Sequence, residues 1–300
     1  MSQVLVATPD GLITIGDVVP VGAVQLAGRS VDAVVRDGDE LWAIVDRSEI
    51  WHAPEGDWRR VASLEGHEAT CIAMTDAIHV GSSEARLFRL SDGALEPIAG
   101  FDDAEGRADW YTPWGGPPAT RSMSEWGDDV YVNVHVGGIL HTDDHGRSWQ
   151  PTIGIDADVH QVATTRTLVL AACAGGLATS ADRGTTWTMR SDGLEATYSR
   201  AVVVCGDTVL VSASDGPRGG RGAVYRGGLA DGPFERCTTG LPEWFDDNID
   251  TFWLDALNDG SFAAFCTSDG RLFGSEDAGS TWRELASDLG AVRHILVLPD

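Results

Sequence analysis

Lysine is missing from this chain of 300 residues, so arginine supplies all 21 basic residues against 46 acidic ones. The formal net charge of −25 repels the phosphates of nucleic acids and the anionic surfaces of membranes. We therefore expect neither a nucleic-acid partner nor a membrane partner. Long apolar runs are also missing, and the first residues lack a basic segment followed by an apolar one, so we expect no spanning segment and no signal peptide.

Cysteine is scarce in this chain. The five cysteines are Cys71, Cys173, Cys205, Cys237 and Cys266, an odd number without a CxxC pair. This pattern argues against a disulfide framework and against a metal site built from cysteine. Apolar neighbours, as in ATCIAM and LAACAG, predict small buried thiols. We expect a reduced chain in the cytoplasm.

Three segments share the pattern S/T-x-D-x-G-x-S/T-W. They are residues 142–149 (TDDHGRSW), 180–187 (SADRGTTW) and 275–282 (SEDAGSTW). In such a segment the aspartate can accept hydrogen bonds from backbone N–H groups of its own turn, and glycine supplies the positive φ angle that other residues resist. The pattern predicts a tight hairpin turn over which the tryptophan closes.

This pattern resembles the Asp-box, or BNR, repeat of the β-propellers found in sialidases, sortilin-like receptors and photosystem-assembly proteins. Weaker copies end at Trp58, Leu95 and Phe234. The final residues of the six copies fall at positions 58, 95, 149, 187, 234 and 282, and each interval suits one blade of four strands. The resemblance therefore covers the whole chain and implies a β-propeller.

Short strands separated by turn residues fill the intervals, and no segment has the apolar period of a helix. We predict an all-β fold, a seven-bladed β-propeller of one domain with four antiparallel strands per blade. The blades are expected at about residues 31–66, 67–108, 120–155, 156–194, 195–243 and 247–290, with 291–300 and 1–30 forming the last. N- and C-terminal strands close this last blade, and six blades with an irregular N-terminal arm are the alternative.

The resemblance implies that the Asp-box turns are structural and that ligands bind on the opposite face, where first strands begin and second strands end. Polar side chains occur at these places in every blade. Those that we select are Arg121, His135, Asp158, His160, Tyr198, Arg200 and Asp250. Because the first strands of a propeller line its centre, these groups are expected to converge. The alternative is that they are ordinary polar loop residues.

A long loop without strand pattern precedes the third blade, at residues 101–118. It carries Trp110, Tyr111 and Trp114 among prolines and glycines. Aromatic rings on a stiff loop suit the flat face of a sugar or a similar ligand. The alternative is that these rings form a small core of their own.

The first functional hypothesis is a site for a small polar molecule or a glycan, with hydrolysis as its chemistry if the chain is an enzyme. Ligand binding is assigned to Trp110, Tyr111, Trp114, Arg121, Tyr198 and Arg200. Proton transfer is assigned to His135 or His160, with Asp158 and Asp250 orienting or assisting them. The likeness to sialidases stops at the fold, because the chain lacks their R-I-P motif, and no sialidase catalytic residue is carried over.

Two further hypotheses stay open. Four histidines from different blades, His67, His135, His160 and His294, are candidate ligands of a divalent or transition metal, with Asp158 as a ligand or as a partner of a ligand. The third hypothesis is a propeller without catalysis that grips a protein segment, its acidic rim suiting a basic partner. The sequence selects neither a reaction nor a cofactor among the three.

Overall fold

The structure, a computed structural model, describes residues 2–16, 22, 24–113 and 115–299. Within this part the chain forms 28 β-strands, one α-helix of four residues and two short 3-10 helices. No helix in the described ranges has the length and apolar character needed to cross a membrane.

The strands follow one another with short turns. The first three are β1 (Gln3–Thr8), β2 (Gly11–Ile15) and β3 (Val24–Gln25). The next eight are β4 (Val31–Asp37), β5 (Glu40–Val45), β6 (Glu49–Ala53), β7 (Arg59–Ser63), β8 (Ala69–Met74), β9 (Ile78–Ser82), β10 (Leu87–Ser91) and β11 (Ala94–Pro97). After helix α1 (Ala99–Asp102) and a 3-10 helix (Arg107–Asp109) come β12 (Thr120–Trp126), β13 (Asp129–Val134), β14 (Gly138–Thr142) and β15 (Gln150–Ile153).

A second 3-10 helix (Ile155–Ala157) leads into the remaining strands. The next four are β16 (Val159–Thr164), β17 (Val169–Cys173), β18 (Gly176–Ser180) and β19 (Thr188–Arg190). They are followed by β20 (Tyr198–Cys205), β21 (Thr208–Ser214), β22 (Ala223–Gly228) and β23 (Glu235–Arg236). The last five are β24 (Leu254–Ala256), β25 (Ala263–Cys266), β26 (Leu272–Ser275), β27 (Arg283–Ala286) and β28 (His294–Leu298).

The described strands form seven sheets of four strands each, and this confirms the seven-bladed β-propeller. Six sheets take four consecutive strands, from β4–β7 to β24–β27, and each lies inside one predicted blade range. The seventh has the order β28-β1-β2-β3, with Val297 opposite Val4 and Ile295 opposite Val6. The termini therefore complete one sheet, and the six-bladed alternative is excluded.

Two compact units make up the chain. One consists of Ser30–Val169 with Ser180–Trp187, and the other of Met1–Arg29, Leu170–Thr179 and Thr188–Asp300. The assignment of a single domain stays a prediction.

The core of each unit lies between neighbouring sheets. In the first unit, Ile44 and Ile50 of one blade pack with Ile72 and Val80 of the next. In the second unit, apolar residues of the closing sheet pack in the same way on the sheet β24–β27. Middle strands are covered on both faces, and this explains why β1 and β17 are apolar almost throughout rather than alternating.

The three S/T-x-D-x-G-x-S/T-W segments form the same turn. In the first, Asp144 Oδ1 accepts hydrogen bonds from the Thr142 hydroxyl at 2.8 Å and the Ser148 N–H at 3.0 Å, and Asp144 Oδ2 accepts one from the Ser148 hydroxyl at 2.7 Å. The same bonds recur around Asp182 and Asp277 at 2.7 to 2.9 Å. In all three turns the indole N–H of the tryptophan donates to the glycine carbonyl at 3.1 Å.

These turns place two successive residues in the left-handed region. The glycines have φ angles of 78° to 87°, as predicted, but the residue before each glycine also has a positive φ of 50° to 59°. The hydrogen bonds to the carboxylates lower the pKa of Asp144 and Asp182. For Asp277, burial raises the pKa, and the hydrogen bonds outweigh it, so the pKa is lowered overall.

All five cysteines are buried thiols, as predicted. Burial raises the pKa of Cys71 to about 12 and those of Cys205 and Cys237 to about 11. These thiols therefore stay protonated at neutral pH and serve as small apolar core residues.

Candidate functional site

The pairing between the first and second strands is irregular near the start of four first strands. The register between the first and second strands shifts at Asp32 on β4, Thr70 on β8, Arg121 on β12 and Arg200 on β20. A bulge of this kind re-aims the side chain of the extra residue. On β12, the neighbouring Thr120 and Ser122 are fully buried, whereas Arg121 is partly exposed.

His135 follows β13 and begins the turn into β14. Val136 and Gly138 in this turn have positive φ angles, 55° and 78°. The N–H of His135 donates to the carbonyl of Ala119 at 2.9 Å, and this bond ties the turn to the residue that precedes β12. The His135 side chain is 16% exposed.

Asp158 and His160 lie at the entrance to β16. Asp158 ends the second 3-10 helix with φ 48° and ψ 66°, a left-handed conformation that aspartate tolerates better than most residues. His160 is the second residue of β16, and its side chain is completely buried. The amide of Asn133 on β13 donates to the carbonyl of Val159 at 3.2 Å, so β13 and β16 lie next to each other.

His135, Asp158 and His160 form a cluster with a common centre. Asp158 Oδ1 lies 3.7 Å from Nε2 of His135 and 3.7 Å from Nε2 of His160. One ligand atom from each of the three residues lies within 4.8 Å of the other two, and among the described residues this is the one such group of potential metal ligands. Distances of 3.7 Å exceed those of hydrogen bonds but suit atoms that share a metal ion after small adjustments.

Arg121 stands beside this cluster. Its Nη1 atom lies 3.4 Å from each of the two ring nitrogens of His135. The rings of His135 and His160 have centroids 5.7 Å apart at an angle of 55°. The structure therefore brings four of the predicted site residues together.

Tyr198, Arg200 and Asp250 form a group of their own. Arg200 Nη1 donates to Asp250 Oδ1 at 2.9 Å, and Nη2 donates to the carbonyl of Pro217 at 3.2 Å. The guanidinium also lies over the Tyr198 ring, 5.5 Å from its centroid. Asp250 Oδ1 accepts a second hydrogen bond, from the N–H of Thr251. This carboxylate is therefore held as part of an ion pair.

The other two predicted metal ligands, His67 and His294, do not belong to the cluster. His67 Nδ1 lies 3.1 Å from Glu84 Oε2. The ring of His294 is buried and stacks parallel to Phe252 with a centroid distance of 4.7 Å. Burial lowers the pKa of His294 to about 3, so the ring is neutral at physiological pH. The structure does not assemble the predicted four-histidine set.

The aromatic residues of the long loop differ in their surroundings. Trp110 packs on Phe101, and the Arg107 guanidinium lies 4.8 Å from the centroid of its ring. A Cβ atom built on Gly137 would lie 3.2 Å from Trp110 Cδ2, so this indole covers the turn that follows His135. Tyr111 is 49% exposed, whereas Trp114 lies outside the described residues.

Asn133 is a contributor that the sequence reasoning missed. It is completely buried, and its amide links β13, which His135 follows, to β16, which carries His160. The signal was present as a single amide in the otherwise apolar run VYVNV, because a buried amide needs a specific hydrogen-bond partner.

Comparison with known proteins supports the fold. No family model and no curated protein matches this chain. Among solved structures, a GH74 xyloglucanase from Xanthomonas campestris has a TM-score of 0.64 at 16% identity, over 95% of this chain and 52% of that one. YCF48 from Cyanidioschyzon merolae has a TM-score of 0.60 at 14% identity, over 87% and 88% of the two chains.

A designed protein is similar to the same extent. The computationally designed Ika8 protein has a TM-score of 0.60 at 13% identity, over 96% of this chain and 84% of its own. At such identities the likeness shows a shared β-propeller fold alone.

Proposed function

We propose that this chain binds a divalent transition-metal ion through His135, Asp158 and His160 and acts as a metal-dependent enzyme on a small polar molecule. The observation that carries the proposal is the convergence of two imidazoles and one carboxylate, with both Nε2 atoms 3.7 Å from the same oxygen. Of the three hypotheses drawn from the sequence, the geometry favours this one.

The ligand types agree with transition metals. Neutral imidazole suits zinc, iron, copper and nickel, and a mixed set of histidine and carboxylate is typical of catalytic rather than closed structural sites. Three protein ligands leave positions at the ion for water and substrate. A bound ion would lower the pKa of such a water or polarise a substrate oxygen.

Burial in the cluster is graded. His160 is fully buried, His135 is 16% exposed and the Asp158 side chain is 33% exposed. The buried imidazole would hold the ion from within, and the side with Asp158 and His135 would admit the substrate. Such a gradient distinguishes a reactive site from a buried structural one.

Calorimetric titration with Zn²⁺ or Co²⁺ tests this proposal. We expect about one ion per chain and a loss of affinity of at least about tenfold in His135→Gln, since removing one of three ligands removes a substantial part of the binding free energy. His141→Gln is a matched control, because His141 is 15% exposed and also contacts a carboxylate, that of Asp129. Equal affinities of the two variants, or no binding by the wild-type protein, would contradict the proposal.

We also propose that the chain belongs with the Asp-box propellers. Support comes from the three turns around Asp144, Asp182 and Asp277, which share the residue pattern, the hydrogen bonds and the backbone angles. A cytoplasmic location is proposed as well, supported by five buried thiols in a chain of this size.

A further inference from the structure

We infer that a small cavity beside the first Asp-box turn binds a primary ammonium group at the end of an alkyl chain. The cavity has a volume of about 30 Å³, which gives room for a group of the size of water or ammonium. It lies where the turns β8–β9, β12–β13 and β14–β15 meet, at the opposite end of β12 and β13 from Arg121 and His135. The inference therefore does not depend on the proposed metal site.

His79 on β9 lines this cavity and offers it a hydrogen-bond acceptor. The residue is 7% exposed, and its Nδ1 lies 2.8 Å from the Thr75 hydroxyl oxygen and 3.1 Å from the carbonyl oxygen of Ala77. Burial lowers the pKa of His79, so the ring is neutral at pH 7. Because a carbonyl oxygen can only accept, the proton is on Nδ1 and Nε2 carries a lone pair. Within the described part of the chain Nε2 has no hydrogen-bond partner, so it is available to a donor N–H of a ligand.

Three carboxylates surround the same cavity. Glu125 on β12 is half-buried and Asp128 is exposed, and neither side chain has an ion pair or a hydrogen bond among the described residues. The third carboxylate, that of Asp76, lies 3.1 Å from Nη2 of Arg89. Burial and, after it, the charge of Asp76 raise the pKa of Glu125, so a cation in the cavity would stabilise its charged form. Three carboxylates against one guanidinium leave a surplus of negative charge.

The second Asp-box turn shows a cation of the chain at the equivalent position. Arg183 donates from Nε to Asp129 Oδ1 of the preceding blade at 2.8 Å, and its Nη2 lies 3.2 Å from Asp143 Oδ2. In the turn beside the cavity this position is taken by His145, with the same φ angle of 59°. Its Nδ1 lies 3.5 Å from Asp76 Oδ2. A shorter side chain thus stands where the next turn supplies a guanidinium.

Geometry favours a primary ammonium among the cations. Its three N–H donors can bind the His79 nitrogen and two carboxylates at the same time. No three of the imidazole and carboxylate groups around the cavity, all of which the structure describes, place ligand atoms within 4.8 Å of one another. A metal ion, with bonds of about 2.1 Å, would not bridge them. Val130 and Trp149 add an apolar wall along which an alkyl chain can lie.

The test uses the full chain in EDTA, which separates the result from that of the metal site. Two-bond ¹H–¹⁵N correlation spectra of the histidine rings report on a hydrogen bond accepted by Nε2, and the spectrum of His79→Gln identifies the signal of this ring. The probe is n-butylammonium, and butyltrimethylammonium, which has the same charge without an N–H donor, is the control ligand. We expect butylammonium to shift the Nε2 signal with saturation and the control ligand to have little effect.

Glu125→Gln should weaken butylammonium binding about ten- to a hundredfold, because it removes the charge of an acceptor and keeps its shape. Glu96→Gln removes one charge from an exposed position on β11 and should leave binding unchanged. His145→Arg introduces the residue that the second Asp-box turn has at this position. It should compete with the probe and weaken its binding at least about tenfold.

Nα-acetyl-lysine methylamide distinguishes two sources of the ammonium group. Binding as tight as that of butylammonium, or tighter, assigns the cavity to a lysine side chain of a partner protein, and weaker binding assigns it to a free alkylamine; both results support the ammonium site. No shift of the His79 signal with butylammonium, equal shifts with the two probes, or unchanged affinity in Glu125→Gln or in His145→Arg would overturn the inference. The comparison of the two probes needs no variant, so it decides the matter even if a variant fails to fold.

Discussion

Histidines occur in two different arrangements in this protein, and the distance to the nearest carboxylate separates them. His52 lies 2.7 Å from Glu40 and stacks on Trp42 at 3.8 Å, a closed pair between neighbouring strands. His141 repeats this arrangement on another blade with Asp129 and Tyr131. In the cluster the imidazoles stand 3.7 Å from Asp158, too far for a hydrogen bond. The sequence alone cannot make this distinction, because it depends on which strands become neighbours.

The burial of the His294 ring predicts that the protein loses stability in acid. Its pKa falls from the ordinary 6.5 to about 3 on burial, so the unfolded chain takes up this proton more readily than the folded one. Below pH 6.5 the free energy of unfolding should therefore decrease, by about 2 kcal/mol between pH 7 and pH 5 from this residue alone. Urea denaturation at both pH values should show a smaller difference in His294→Gln than in the wild type.

The exposed histidine His145 supplies the control for this prediction, since its side chain is 55% exposed. His145→Gln should keep the pH dependence of the wild type. An unchanged pH dependence in His294→Gln would contradict the account of its burial.

At the scale of elements, the turn motif explains why the fold could be predicted. Each turn is made by residues within eight positions of one another, so the sequence contains all its partners. The bulges differ in this respect. Nothing in the pattern TRSMSEW announces the register shift at Arg121, because the shift appears only when β12 pairs with β13. Arg121 could be selected as a candidate from its place in the blade, but its contact with His135 could not.

The turn aspartates should stabilise the protein in their charged form. Thr186 and Ser180 donate hydrogen bonds to Asp182 and lower its pKa, so the stabilisation is present at neutral pH and is lost as the pH falls below about 4. We expect Asp182→Asn to lower the melting temperature at pH 7 by a few degrees and to approach the wild type in acid. Asp39→Asn, at an exposed aspartate between β4 and β5, should leave the melting temperature unchanged both at pH 7 and in acid. Equal effects of Asp182→Asn and Asp39→Asn on the melting temperature would refute the role of the turn.

Close packing of backbones predicts that alanine substitution lowers the free energy of unfolding by very different amounts at two glycines of similar conformation. Gly240 and Gly232 have φ angles of 82° and 89°. A Cβ on Gly240 would overlap the backbone oxygen of Trp282, whereas a Cβ on Gly232 meets nothing within 4 Å. Gly232→Ala should cost about 1–2 kcal/mol for its left-handed angle, and Gly240→Ala at least about 2 kcal/mol more. Chemical denaturation of both variants measures this, and equal losses would refute the packing argument.

At the scale of the whole molecule, the repeated turn pattern made the number of sheets predictable. It did not identify the residues of the candidate site. Six copies of one turn pattern and a surplus of terminal strands suffice for seven sheets, since each sheet obeys the same local rules. The site has no such repetition. The four predicted metal histidines looked equivalent in the sequence, yet His294 is buried against Phe252 and His67 lies beside Glu84.

Closure of the last sheet by both termini predicts that β28 contributes to global stability. Ile295 and Val297 are buried in the core of that sheet and pair with β1. Deleting residues 294–300 should lower the free energy of unfolding by several kcal/mol and expose β1 as an unpaired edge that promotes aggregation. Deleting residues 299–300, which lie beyond β28, should do neither. Wild-type stability and solubility in the longer deletion would contradict the closure.

The central claim is that His135, Asp158 and His160 hold one metal ion, and X-ray absorption at the edge of bound Co²⁺ tests it most directly. We expect scattering from two imidazoles together with oxygen ligands in the wild-type protein, and from one imidazole in any metal that His160→Gln retains. A spectrum without imidazole ligands, or one that is identical in the wild type and in His160→Gln, would contradict it.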